Sequence, residues 1–236
     1  MSGIPHMSGI ALRNGWFGYG DEPIIRGVDL RVGRGTTAVI TGANGSGKST
    51  LLHLCAGLLP LSRGSLELGG KFVDASHPSE VFRAGVRCGV VLQEGGLLSN
   101  MNALANVALS LRYHADVLNM TIDDVEKRAK EALYRVRIRE NDFYSLPAHL
   151  SFGTRKRLAL ARAIALRPTF FFFDDPDVGL DPQTAAVVHE ILCQYRDDPE
   201  VTMLVATNRD LLIDRLRVPG YIFQHGRLFE RGESVA

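Results

Sequence analysis

The sequence predicts an α/β protein with a parallel sheet at its centre, antiparallel strands near the N-terminus and a mostly helical middle stretch. Three observations lead there. Two runs that are apolar throughout, Thr169 to Phe173 and Val201 to Ala206, flank a helical stretch from Pro182 to Arg196. Apolar strands alternating with helices mark a parallel sheet covered on both faces. A β-branched run, Thr36 to Thr41, passes through glycines into a helix that begins at Lys48. From Ile10 to Val32, short apolar stretches alternate with turn residues (Asn14-Gly15, Gly18, Gly20, Gly27), which reads as antiparallel strands.

The remaining elements follow in order. The string MSGI occurs at residues 1 and 7, so residues 1–6 are expected to be disordered or to precede an alternative start at Met7. The first helix is expected from Lys48 to Leu59, and further strands from Gly64 to Val73 and from Cys88 to Gln93. Leu97 to Ala165 reads as mostly helical, with Thr121-x-x-Asp124 as a cap before a charged amphipathic run. Tyr221 to Phe229, broken at His225-Gly226, reads as a closing hairpin.

Composition bounds the function classes. The 236 residues are 45% hydrophobic and 22% charged, enough for one large domain or one domain with a sub-lobe. Lys and Arg total 27 against 26 Asp and Glu, a net charge of +1, which argues against a dedicated nucleic-acid binder. Cys55, Cys88 and Cys193 form no CxxC pair, so no disulfide framework or zinc site is expected. Each reads as a small buried side chain in a reducing cytosol. No signal pattern opens the chain, and no apolar run approaches the roughly 20 residues that span a bilayer. The histidines show no ligand spacing, and His149 and His189 read as ordinary surface or helix residues.

The first motif that carries chemistry is Gly42-Ala43-Asn44-Gly45-Ser46-Gly47-Lys48-Ser49, a full match to GxxxxGK[ST], followed by Thr50. Glycines let such a loop wrap closely, so that consecutive backbone N–H groups point at phosphate oxygens. The helix that starts here adds its positive dipole end. Lys48 is expected on the β- and γ-phosphates, and the Ser49 hydroxyl on Mg²⁺. The second motif is Phe170 to Phe173 followed by Asp174, an apolar strand ending in an acid, the Walker B arrangement. Asp174 is expected to hold Mg²⁺ directly or through water. Asp175 comes next, where a carboxylate can polarise an attacking water.

With these residues in order, the chain resembles the ATP-binding cassette (ABC) ATPases over nearly its whole length. Tyr19 matches the aromatic that family members stack on adenine, and Gln93 matches the Q-loop glutamine at a strand end. Leu150-Ser151-Phe152-Gly153-Thr154 occupies the signature position before a helix reading RKRLALARAIALRP. Asp174-Asp175-Pro176 continues into Val178-Gly179-Leu180-Asp181, which matches the D-loop. The resemblance implies a P-loop NTPase fold: a RecA-like parallel-sheet core, an N-terminal antiparallel β subdomain and an inserted helical subdomain. It places a single domain at residues 7–236, with the core at about 7–93 and 166–236 and the helical subdomain at about 94–165. It implies ATP and Mg²⁺ as the bound species, with Ser49, Gln93 and Asp174 on the metal. Tyr19, Gly42, Asn44, Gly45, Ser46, Gly47, Lys48, Ser49, Thr50, Asp174 and Asp181 are then nucleotide-binding. Ser151 and Gly153, at a helix N-terminus, would face the γ-phosphate held by an opposite cassette, which implies a head-to-tail homodimer or heterodimer.

The sequence departs from the family pattern at three places. The signature reads LSFGT where the family has LSGGQ. Asp175 stands where the family has a catalytic Glu, one methylene longer. Asn208 in Thr207-Asn208-Arg209 stands where the family has its switch His. An amide can donate a hydrogen bond to a γ-phosphate but carries no charge. Asp175, Gln93 and Asn208 are the expected catalytic residues.

The segment GGLLSNMNALANVALSLR and the RKRLALARAIALRP helix look most like ATPases of Mla-type (MCE-associated) phospholipid transporters. The leading expectation is an ATP-hydrolysing motor subunit, bound peripherally to a permease at the cytoplasmic face of the inner membrane, with an MCE-domain lipid-binding partner. The alternative is a degenerate cassette that binds ATP and dimerises but turns over slowly. Soluble ABC proteins that act on ribosomes or DNA are disfavoured by the single cassette, the absence of sustained heptads and the net charge of +1.

Overall fold

The computed structural model describes residues 8–20, 22–74, 82 and 85–231. The expectation for residues 1–6 lies outside them. Strands β1 (Ser8–Phe17) and β2 (Ile25–Gly33) pair antiparallel, as the turn-punctuated N-terminal pattern predicts. β3 (Thr37–Thr41) leads into α1 (Lys48–Cys55). β4 (Arg63–Leu68) and β5 (Lys71–Phe72) follow, then β6 (Cys88–Val91). Between β6 and β7 the chain is helical: α2 (Ala103–Tyr113), α3 (Ala115–Leu118), α4 (Ile122–Arg135) and α5 (Phe152–Ala165). Then come β7 (Phe170–Asp174), α6 (Pro182–Arg196), β8 (Thr202–Ala206) and α7 (Asp210–Leu216). The hairpin of β9 (Gly220–Gln224) and β10 (Arg227–Glu230) completes the described fold.

Two sheets result. β2-β1-β4-β5 is antiparallel; β10-β9-β3-β8-β7-β6 is parallel from β9 to β6, with only β10 reversed. β7 shows why both faces of the parallel sheet must be covered. Successive side chains of a strand point to opposite faces. Phe170 and Phe172 therefore enter the core shared with β1, β2 and α1. Phe171 and Phe173 enter the other core, with α5 and α6.

The strand expected from Cys88 to Gln93 ends at Val91, and two other expected boundaries shift because of glycine. The first helix stops at Cys55 rather than Leu59, since Gly57 takes φ +70°, a left-handed conformation that ends helices. The expected strand from Gly64 to Val73 is two strands, because Gly69 and Gly70, at φ +59° and +77°, turn the chain into a hairpin. The expected cap at Thr121 is a full capping box: Thr121 Oγ1 accepts from Asp124 N, and Asp124 accepts from Thr121 N. All three cysteines are free. Cys55 is buried, which pushes its thiol up to about 12, but Cys88 and Cys193 are only half-buried. Among the described residues no helix is long and apolar enough to cross a membrane.

Phe172 is fully buried at the centre of the strand that carries Asp174. Phe172→Ala is expected to cost about 3–5 kcal/mol, read as a lower urea midpoint with an unchanged slope.

Candidate functional site

The site begins where β3 ends. Gly42 has φ +149°, and a Cβ there would lie 2.3 Å from the Phe223 carbonyl oxygen. Gly47, at φ +104°, opens α1 and would place a Cβ 2.8 Å from Ile24. Neither position tolerates a side chain, so the loop can turn tightly only with glycine. Gly47 also supplies no side-chain cap to α1. The first-turn N–H groups of that helix are thereby left for an anion.

Lys48 is buried, and its ammonium donates to the carbonyl oxygens of Gly42 at 2.8 Å and Ala43 at 3.0 Å. Burial lowers its pKa, against the opposing pull of Asp175 and Asp174. Asp174 is buried at the end of β7, where its Oδ1 accepts from Ser49 Oγ at 2.9 Å. His53 Nε2 lies 3.6 Å from the other carboxylate oxygen. Burial raises the Asp174 pKa; the Ser49 hydrogen bond and the nearby His53 and Lys48 hold it back. Asp175 has φ +42°, a left-handed conformation in which Asp is among the better tolerated residues. Its N–H donates to Ala206 O at 2.9 Å, tying the end of β7 to β8.

A cleft of about 700 Å³ collects most of the expected residues: Asn44, Gly45, Gly47, Lys48, Ser49, Thr50, Gln93, Asp175 and Asn208. Ile24, Val178 and Arg209 line it too and were not among the expected site residues. Asn208 grips the phosphate loop: its Oδ1 accepts from Gly42 N and its Nδ2 donates to Asn44 Oδ1, both at 3.1 Å. Ser46 braces the loop through its N–H to Ala43 O. Tyr19 stands exposed, with its ring edge-on to Phe17 at 4.9 Å.

Ser151, Gly153 and Asp181 do not line the cleft. Ser151 caps α5 by accepting from Thr154 N at 3.1 Å. Asp181 caps α6, accepting from Gln183 N, Thr184 N and the Thr184 hydroxyl. Gly153 lies so close to Thr184 that a Cβ would meet its side chain at 3.1 Å. The signature helix and the D-loop helix are thus packed start to start, away from the phosphate loop.

Sequence reading also missed Lys156 and Arg162 on α5. Lys156 is buried and donates to the Gln93 carbonyl oxygen. Arg162 donates to the carbonyl oxygens of Gly95 and Gly96. Burial lowers the Lys156 pKa, with Glu94 and Asp175 the leading counterweights. Arg162 gave a signal, a lone cation between Ala161 and Ala163, whereas Lys156 lies between Arg155 and Arg157 and gave none.

The donor set suits Mg²⁺. Ser49 and Asp174 offer hydroxyl and carboxylate oxygens within hydrogen-bonding distance of each other, and a hard cation takes oxygen ligands. Among the described residues, no group of three His, Cys, Asp or Glu side chains is placed to hold a metal.

The Lys156 contact yields a test. Lys156→Met keeps most of the side-chain bulk and removes the donor, leaving the Gln93 carbonyl without its Lys156 partner. Faster amide exchange is expected across residues 93–96, partly restored in Lys156→Arg; unchanged exchange would mean that Arg162 alone holds the segment.

Comparison with known proteins agrees with this arrangement. A family model described as "ABC transporter" matches residues 25–178. The lipoprotein-releasing system ATP-binding protein LolD of Acinetobacter baylyi is 34% identical over 190 residues, covering 80% of this chain and 82% of that protein. The histidine transport ATP-binding protein HisP of Pseudomonas aeruginosa is 32% identical over 197 residues, covering 79% and 76%. Among solved structures, the dimeric post-hydrolysis state of the ATP-binding cassette MJ0796, bound to ADP and Pi, superposes with a TM-score of 0.82. It is 25% identical and covers 95% of this chain and 100% of its own. The cbiO1 protein of Clostridium perfringens, part of the ABC transporter complex cbiONQ, superposes with a TM-score of 0.74 at 25% identity, covering 94% and 87%. A glycine loop that wraps a helix start, a carboxylate strand beside it and this family match together make the chain an ATP-binding, ATP-hydrolysing member of the ABC transporter family.

Proposed function

We propose that this cassette powers a membrane permease that moves lipid, working as a head-to-tail pair of cassettes on the cytoplasmic face. The observation that carries the motor reading is the Ser49–Asp174 pair at the foot of a loop whose backbone donors and Lys48 face one cleft. The first-turn N–H groups and Lys48 bind the β- and γ-phosphates. Ser49, Asp174 and Gln93 would hold Mg²⁺, which when bound neutralises charge on the terminal phosphates. Asp175 orients a water for in-line attack on the γ-phosphorus and takes its proton as the bond to the β-bridging oxygen breaks. Asn208 keeps the loop in register by its bonds to Gly42 and Asn44.

Pairing of cassettes is supported by what the cleft lacks. Ser151 and Gly153 sit at a helix N-terminus, a natural anion site, yet line no part of their own chain's cleft. A second cassette brings that N-terminus to the γ-phosphate, and Asp181 and Tyr19 then border the sandwiched nucleotide. The MJ0796 cassette, which superposes over nearly the whole chain, is a dimer.

A lipid cargo is supported by the lipoprotein-releasing relatives and by the likeness of the segment after Gln93 to Mla-type ATPases, which also suggests an MCE-domain partner. The alternative, a degenerate cassette that binds ATP and dimerises but hydrolyses slowly, gains nothing from the comparisons.

Lys48→Ala is expected to cut ATP hydrolysis at least about a hundredfold and to stop ATP-dependent transport of a fluorescent phospholipid in vesicles holding the permease and cassette. Transport that survives intact would sink the motor reading. Asp175→Glu is expected to raise turnover or leave it unchanged; a large loss would show that the shorter carboxylate is fitted to its left-handed backbone.

A further inference from the structure

The family's switch position normally carries a side chain that can be positive, and here it is Asn208. Asn208 is already engaged, with Oδ1 on Gly42 and Nδ2 on Asn44. Its neighbour Arg209 lines the same cleft as Lys48, Ser49, Gln93 and Asp175. We propose that Arg209 supplies the cation that meets the γ-phosphate of ATP in this cassette, held in place by a buried Asp177–His189 pair. The inference rests on the ATPase reading and names a residue which that reading left out.

Three observations carry it. Asp177, in the loop after β7, is almost fully buried, as is His189 on α6, and His189 Nε2 lies 2.8 Å from Asp177 Oδ2. The same oxygen lies 3.7 Å from Arg209 Nε, and Asp177 Oδ1 has no hydrogen-bond partner. A buried carboxylate is costly unless it is compensated, so Asp177 draws the guanidinium toward it. Arg209 is tethered by its inner nitrogen, while its side chain stays 53% exposed. Among the described residues the guanidinium has no other ion pair or hydrogen bond. The two outer nitrogens remain for a phosphate, which arginine recognises with its planar fork.

Position follows from the backbone. The Arg209 N–H donates to Thr207 Oγ1 at 3.1 Å, and Thr207 N donates to Ile40 O at 3.0 Å on the strand that feeds the phosphate loop. Arg209 is thus anchored to β3 from behind and to α6 through Asp177. A guanidinium presented from the same chain to a transferring phosphoryl group is a known route to charge stabilisation.

The test is equilibrium binding of ATP and ADP with Mg²⁺ to the full chain, using a hydrolysis-resistant ATP analogue as the triphosphate, together with steady-state ATPase assays. Arg209→Gln is expected to weaken triphosphate binding about ten- to a hundredfold while leaving ADP affinity within about twofold, because only the triphosphate carries the γ-group. Arg209→Lys is expected to recover part of the loss. If Arg209 served only as counter-ion to Asp177, the Asp177→Asn/Arg209→Gln pair would bind like wild type; on our proposal it stays impaired. Equal weakening of ATP and ADP, or none, overturns the proposal. A wild-type chain that bound neither nucleotide would instead overturn the ATPase reading beneath it.

Discussion

Parallel pairing of β3, β6, β7 and β8 sets the C-terminal ends of these strands on one edge of the sheet, and each end carries a piece of the site. β3 delivers Gly42 and the phosphate loop, β6 leads to Gln93, β7 ends at Asp174 and β8 leads to Asn208 and Arg209. Open α/β sheets bind ligands at this edge because helices, whose N-termini attract anions, start there. β3 and β7 are not neighbours; β8 lies between them and sets the spacing between phosphate loop and carboxylate. The site therefore tolerates loop variation but not a change of strand order or register.

Once that edge exists, buried charges hold the loops that decorate it. Ionised groups removed from water are expensive unless paired, so each can be satisfied in few geometries. Lys156 and Arg162 fasten α5 to the carbonyls of residues 93–96, and Asp177 gathers His189 and Arg209. The first set joins the helical stretch to the segment after β6. The second joins α6 to the segment after β8. Both helices are thereby connected to residues that line the nucleotide cleft, Gln93 and Arg209. A motor needs that connection between nucleotide and permease.

Most of the fold was legible because its signals are local. Apolar-throughout runs gave β7 and β8 within a residue, Pro182 to Arg196 gave α6 to the residue, and His225-Gly226 gave the last turn. The phosphate loop was legible because only glycine can occupy its crowded, left-handed positions. What was not legible depends on partners distant in sequence. Lys156 reads as one more cation on a charged helix until β6 is laid beside it. His189 reads as a bland helical residue until Asp177 turns back onto it. Ser151 and Asp181 read as nucleotide-binding residues, and within one chain they act as helix caps.

The two catalytic departures make sense when treated as a pair of relocations. Both ends of the Asn208 amide are engaged with the phosphate loop. An imidazole there has two ring nitrogens and could not offer the same acceptor–donor pair while protonated. On our proposal the charge sits one residue along, on the planar guanidinium of Arg209. Fixing that longer, more mobile side chain requires an anchor, and Asp177 with His189 provides one in the loop between Asp175 and α6. Asp175 belongs to the same turn, and its left-handed backbone suits a short carboxylate. One loop thus carries the Asp175 carboxylate and, through Asp177, holds the Arg209 guanidinium that lines the same cleft. A substitution in that loop is expected to alter both together, so the residues at positions 175, 177, 208 and 209 form a coupled set rather than independent ones.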